Sequence, residues 1–171
     1  STGEILGMDF TFEAALYKAL TASHITFKET GFVVLTLSDS DKEYAVELGR
    51  AFRAFDMEIA ATRGTHRLLA EAGIESRLVG KIQDQGESLL DLVQRGEVRL
   101  MVNTPEVGRQ STAEAKLIRR SCLESGVVCL TSIDTARALA RALDLYTDPT
   151  KTSCLPYTEY LRLAACTPAL K

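Results

Sequence analysis

The 171-residue chain has no tryptophan, two histidines and four prolines. The cysteines are Cys122, Cys129, Cys154 and Cys166, none at a CxxC spacing, so no zinc framework is expected and reduced thiols are the default. No apolar run approaches the roughly 20 residues of a membrane helix. No secretory leader opens the sequence, and the expected location is the cytoplasm. Charge of one sign is missing too: 20 basic against 23 acidic residues leave a net charge of −3. That excludes an electrostatic grip on nucleic acid or on an acidic membrane. There is no GxxxxGK[ST] loop, no tandem repeat and no low-complexity tract. What remains is an ordinary globular composition, long enough for one domain with a full core and a small appendage.

The most informative stretch runs from Met57 to Leu69. An apolar run stops at Ala61, Thr62-Arg63-Gly64-Thr65 follows as a tight polar turn, and Leu68, Leu69 and Ala72 then recur at helical spacing. The first N–H groups of a helix lack intrahelical partners and the dipole there is positive. Hydroxyls, a glycine and Arg63 at such a corner suit a phosphate. The plainer alternative is that Thr65 serves only as a helix N-cap.

Around this corner the chain alternates strands with amphipathic helices. A helix over 12–23, with Phe12, Ala15, Leu16 and Ala19 on one face, precedes Gly31. Strands are expected at 33–37, 57–61, about 77–82, 98–102 and 127–130. Helices are expected around Leu48 and Phe52, after Thr65, around Leu89–Val93, near 112–125, and from Ser132 to about Leu145. This pattern predicts an α/β fold: a five-stranded parallel sheet with helices on both faces, a Rossmann-type three-layer arrangement. Residues 146–171 depart from it, with Pro149, Pro156 and Pro168 and one short helix over 157–166, and are expected to be a peripheral tail.

In such sheets ligands bind beyond the C-terminal strand ends. Polar residues gather there in this chain: Thr36 to Lys42 after the first strand, Thr62 to Thr65 after the second, Lys81 at the end of the third, Asn103 and Thr104 after the fourth, Thr131 and Ser132 after the fifth. Five strand ends carrying hydroxyls, two lysines and an amide point to a phosphorylated small molecule. Taken singly, Lys42 and Lys81 also read as solvated lysines, and Asn103 as the start of a turn before Pro105.

Several ordered motifs carry a family resemblance: Leu35-Thr36-Leu37 with Asp41-Lys42-Glu43, Ala61-Thr62-Arg63-Gly64-Thr65, Gly80-Lys81-Ile82, Val102-Asn103-Thr104, Gly108-Arg109 and Ile118-Arg119-Arg120-Ser121. Together they resemble the C-terminal methylglyoxal-synthase-like allosteric domain of the carbamoyl-phosphate synthetase large subunit. Ser1-Thr2-Gly3-Glu4-Ile5-Leu6-Gly7-Met8 resembles the segment closing that subunit's second ATP-grasp unit. The resemblance divides the chain into the end of a synthetic unit (1–31), an allosteric domain (32–145) and a tail (146–171). It implies a C-terminal piece of a longer polypeptide that makes carbamoyl phosphate for pyrimidine and arginine biosynthesis, using ATP with Mg or Mn elsewhere. This piece would hold no cofactor, metal or catalytic residue.

The implied effector is UMP or IMP, held by Thr36, Lys42, Thr62, Arg63, Thr65, Lys81, Asn103 and Thr104, with an ornithine-linked threonine at Thr131. The implied partners are the rest of the large subunit and the glutaminase small subunit, with further copies of the chain as another expected partner. Two departures stand out. Pro105 replaces a threonine often found there, removing a hydroxyl and a backbone donor. Lys81 stands where relatives that bind N-acetylglutamate carry a bulky aromatic. Two other readings remain. One is methylglyoxal synthase acting on dihydroxyacetone phosphate, with Asp39 or Asp84 as base; Gln83-Asp84-Gln85-Gly86 is a faint echo of that enzyme's Gly-Gly-Asp-Gln-Gln run. The other is a ligand-free docking domain using the face with Arg119 and Arg120.

Overall fold

The computed structural model describes residues 4–23, 27–81, 86–104, 109–152 and 154–166. Five strands, β1 (Phe32–Thr36), β2 (Ile59–Thr62), β3 (Arg77–Val79), β4 (Val98–Asn103) and β5 (Val128–Leu130), form one parallel sheet in the order β3-β2-β1-β4-β5. Parallel neighbours need crossovers. The chain supplies α2 (Ala45–Arg53), α3 (Arg63–Glu71), α4 (Leu89–Gln94) and α5 (Arg109–Glu124) between strands, and α6 (Ile133–Thr147) after the last. The expected five-stranded parallel α/β sheet is therefore the one that forms.

Burial explains why the strands read as continuous apolar runs. Val33, Val34 and Leu35 are all fully buried although successive side chains point to opposite faces, so both faces of β1 are covered. On one face Val34, Ala60 and Met101 pack with Leu89, Leu92 and Val93 of α4 and Ile118 and Cys122 of α5. α2 and α3 pack on each other and on β2. Helix ends follow local chemistry. Ser88 and Asp91 form a reciprocal capping box at α4. Gly126 closes α5 with φ 64°, a left-handed conformation that a side chain would oppose.

Several boundaries differ from expectation. β1 stops at Thr36, and Leu37 lies beyond it. β2 starts at Ile59, because Met57 N–H bonds back to Phe52 O at 3.1 Å and belongs to the turn after α2. β3 ends at Val79. α5 begins at Arg109, three residues earlier than its apolar pattern suggested, and α6 runs on to Thr147. Gln83, Asp84, Gln85, Pro105 and Gly108 lie outside the described residues, as do Ser1-Thr2-Gly3, His24, Ile82 and Pro168.

The chain divides into two compact units. One is 26–140 and holds the sheet; the other joins residues 1–25 with 141–171. In the second unit α1 (Phe12–Ala22) is capped by Thr11, whose hydroxyl accepts from Ala14 N–H at 3.2 Å. Lys18 of α1 pairs with Asp9 at 2.6 Å and donates to the Tyr160 hydroxyl of α7 (Tyr157–Cys166) at 2.6 Å. Tyr17 meets Tyr146 edge-on at 4.8 Å between ring centres. The segment expected as a tail thus contributes Tyr160, buried at 7% exposure.

Candidate functional site

Six polar residues are buried among the described residues: Thr36, Ser38, Thr62, Thr65, Asn103 and Thr104. All six lie at the C-terminal ends of β1, β2 and β4 or within the first turn of α3. Burying a polar group is costly unless it is satisfied, so their gathering at one sheet edge calls for a reason. The strand order supplies the location. β1 hands on to β2 on one side, while its other neighbour, β4, comes from later in the chain. The C-terminal ends of β1 and β4 are therefore the point where strand order reverses, the usual ligand crevice of open α/β sheets.

Register brings the strand-end residues together. Thr36 is opposite Asn103, Leu35 opposite Ala61, and Thr62 opposite Val79. Thr104 N–H donates to Thr36 O at 3.0 Å, and Ser38 N–H donates to Thr104 Oγ1 at 2.9 Å. Thr104 is thus partly a fastener of the β1 loop. Ser38, which the sequence reading passed over within its loop, is another: its hydroxyl donates to Asp41 Oδ2 at 2.7 Å. Two groups stay unsatisfied. Thr65 Oγ1 and Asn103 Nδ2 are buried with no hydrogen-bond partner. Buried donors left open cost about 1–3 kcal/mol each, and an arriving acceptor would recover that.

The corner after β2 differs from the tight polar turn expected at 62–65. The helix starts at once, at Arg63. Thr62 occupies the N-cap position without a side-chain cap bond. Thr65 is therefore no N-cap but the third helical residue, wholly buried. The early N–H groups of α3 have no intrahelical partners. Gly64 sits inside this turn for a steric reason: a Cβ there would lie 2.8 Å from both Cε and Nζ of Lys42. The glycine lets the lysine lie across the helix start.

Lys42 comes from a 3-10 turn, Asp39–Tyr44, and its ammonium is ion-paired with Asp39. That contact, with the more distant charge of Lys81, holds the Asp39 carboxyl below the usual aspartate range. Lys81 was expected to end the third strand. It lies two residues past Val79, exposed, beyond Gly80, which bridges to Ser88. Arg63 is exposed at the start of α3, and Thr131 is exposed just past β5. The structure therefore gathers Thr36, Lys42, Thr62, Thr65, Asn103 and Thr104, and leaves Arg63, Lys81 and Thr131 at the exposed margin. Among the described residues no cluster of three or more His, Cys, Asp or Glu could hold a metal. No helix there is long and apolar enough to cross a membrane.

The sheet order and the helices around it define a doubly wound α/β domain. Comparison with protein families narrows this further. The model of the MGS-like domain matches residues 44–131, just over half of the chain. The chain belongs to the MGS-like domain family. The matched segment includes Thr62, Thr65, Lys81, Asn103 and Thr104, and it starts after Thr36, Asp39 and Lys42.

Proposed function

We propose that this chain is a regulatory domain that binds a phosphorylated nucleotide at the C-terminal edge of its sheet. The observation that carries this reading is the pair of buried, unpartnered donors, Thr65 Oγ1 and Asn103 Nδ2, at the strand ends where Lys42 lies over Gly64 of the α3 first turn. A phosphate monoester offers three acceptor oxygens and up to two negative charges, which suits hydroxyl, amide and ammonium donors together. By its resemblance to the carbamoyl-phosphate synthetase large subunit, the ligand is UMP or IMP. In that setting the domain works in the cytoplasm, beside the rest of the large subunit and a glutaminase subunit, and controls the rate of carbamoyl phosphate synthesis. Thr36, Thr62 and Thr104 line the site, Lys81 and Arg63 reach in from its margin, and Thr131 belongs to a neighbouring ornithine contact.

The test is a thermal-shift screen of the chain with UMP, IMP, UTP, phosphoribosyl pyrophosphate and N-acetylglutamate. A ligand at 100 times its dissociation constant adds about 2.7 kcal/mol of stability. Thr65→Ala and Lys81→Ala should each weaken binding roughly tenfold to a hundredfold. Since Thr65 caps nothing, Thr65→Ala should leave the melting of the free chain unchanged or raised. Parent-like affinity in both variants, or no response to any phosphorylated compound at millimolar concentration, would refute the proposal. Turnover of dihydroxyacetone phosphate would point instead to methylglyoxal synthase. Against that stands Asp39, whose pairing with Lys42 makes it a weaker base.

A further inference from the structure

Lys42 and Asp39 are held unequally. Residues three apart eclipse on a 3-10 turn, so the pair follows directly from the backbone of Asp39–Tyr44. Lys42 is the fixed member: its side chain is 29% exposed and lies over the space left by Gly64. Asp39 is the loose member, with a side chain 78% exposed. The other aspartate of the turn, Asp41, is engaged elsewhere, accepting from Ser38 Oγ at 2.7 Å. So the ammonium that lies over Gly64, in the same helical turn as the unpartnered Thr65 hydroxyl, already carries an anion, and that anion is tethered at the solvent edge.

We propose that Asp39 is a tethered counter-anion, an internal competitor that occupies Lys42 until a phosphate monoester displaces it. This rests on the phosphate reading above. A side chain fixed three residues away competes at a high effective concentration, yet an exposed carboxylate is only weakly held. It also leaves the deeper donors of Thr65 and Asn103 unanswered. A phosphate that meets the ammonium and those donors together gains contacts that the short aspartate leaves unmade. Asp39 thereby sets a threshold: the site fills only when ligand is abundant enough to release Lys42.

Isothermal titration of the 171-residue chain with UMP at pH 8 tests this, on the parent and on Asp39→Asn, Asp39→Ser, Asp41→Asn and Lys42→Ala. Both Asp39 variants should bind UMP about two- to fivefold more tightly than the parent, the worth of an exposed ion pair. Lys42→Ala should bind more weakly, and Asp41→Asn should match the parent. Equal tightening by Asp41→Asn would reduce the effect to removal of one like charge and overturn the proposal. Unchanged or weaker binding by the Asp39 variants would overturn it as well, the latter by making Asp39 a support for Lys42. The same titrations are run with IMP; if parent and Asp39 variants alike bind neither UMP nor IMP at millimolar concentration, the phosphate reading itself falls. If the parent binds, Lys42→Ala weakens and Asp39→Asn does not tighten, only the competitor role falls.

Discussion

At the scale of single residues, Gly64 shows how a missing side chain can place a charged one. Glycine inside a helix normally costs about 1 kcal/mol relative to alanine. Its presence in the first turn of α3 is explained by Lys42, whose Cε and Nζ would lie 2.8 Å from a Cβ at that position. The atoms in the way are the far end of a flexible side chain, so an alanine would move the lysine and spare the backbone. Gly64→Ala should therefore keep or raise the melting temperature of the free chain while weakening UMP binding about tenfold. Such a split between stability and affinity is unusual, because most damaging substitutions lower both. Parallel melting curves and titrations would show it. Unaltered affinity in Gly64→Ala would mean that the position of Lys42 over the helix does not matter for the ligand.

At the scale of elements, the reading of the sequence was strongest where burial was deepest. β1 is apolar from Phe32 to Leu35, and β4 is apolar at Val98 and from Leu100 to Val102, interrupted only by Arg99, so their existence and direction were evident. β3 is an edge strand with only Val79 buried, and three residues of weak pattern allowed its end to be set too far along, at Lys81. The gathering of Thr36, Thr62, Asn103 and Thr104 was also legible, because each follows directly on an apolar run. The role of Thr65 was not. A threonine after a glycine looks the same whether it caps the helix or lies in its first turn, and only the onset at Arg63 decides. Gly64 and Asp39 were read only as a turn glycine and a candidate base; their contacts with Lys42 were not legible, because no sequence signal marks the 3-10 turn of Asp39–Tyr44 or its closeness to α3.

Packing between elements makes its own demand. A Cβ on Gly49 of α2 would lie 2.6 Å from Leu69 Cδ2 and 3.2 Å from Ile74 Cδ1, both in well-buried side chains. Gly49→Ala should thus lose more from overpacking, about 1–3 kcal/mol, than the roughly 1 kcal/mol it gains in helix propensity. Urea unfolding should show a net loss of stability, with Gly49→Ser faring no better. A stabilised Gly49→Ala would mean that α2 and α3 slide apart easily.

At the scale of the whole molecule, acid should be the sensitive direction. Asp9, Glu13, Asp39, Glu87, Asp91 and Asp148 all have carboxyl pKa values below their ordinary ones. A depressed folded-state value means that the unfolded chain binds protons first as pH falls. The associated stability is complete above the unfolded values, 3.8 for Asp and 4.5 for Glu, and is lost as pH drops through the lower folded ones. Stability should accordingly be flat from pH 8 to about 5 and decline below about 4.5. Asp39 and Asp91 are exposed, and Glu13, Glu87 and Asp148 are half-buried at the surface, so salt should mute their share. Asp9 is different. Burial raises its pKa, but the Lys18 ammonium, the Thr152 hydroxyl at 2.8 Å and the Phe10 N–H outweigh burial and hold it down. With its side chain 13% exposed, this pair is shielded from salt. Asp9→Asn should lower stability at pH 7 by about 1–3 kcal/mol and flatten the acid decline, and the loss should persist in 0.5 M salt, roughly a 4 Å screening length. Denaturant melts of parent and variant at pH 7 and pH 3, at low and high salt, would measure all three effects. If the two chains lose stability in parallel between those pH values, the Asp9–Lys18 contact is not what the carboxyl's ionisation supports.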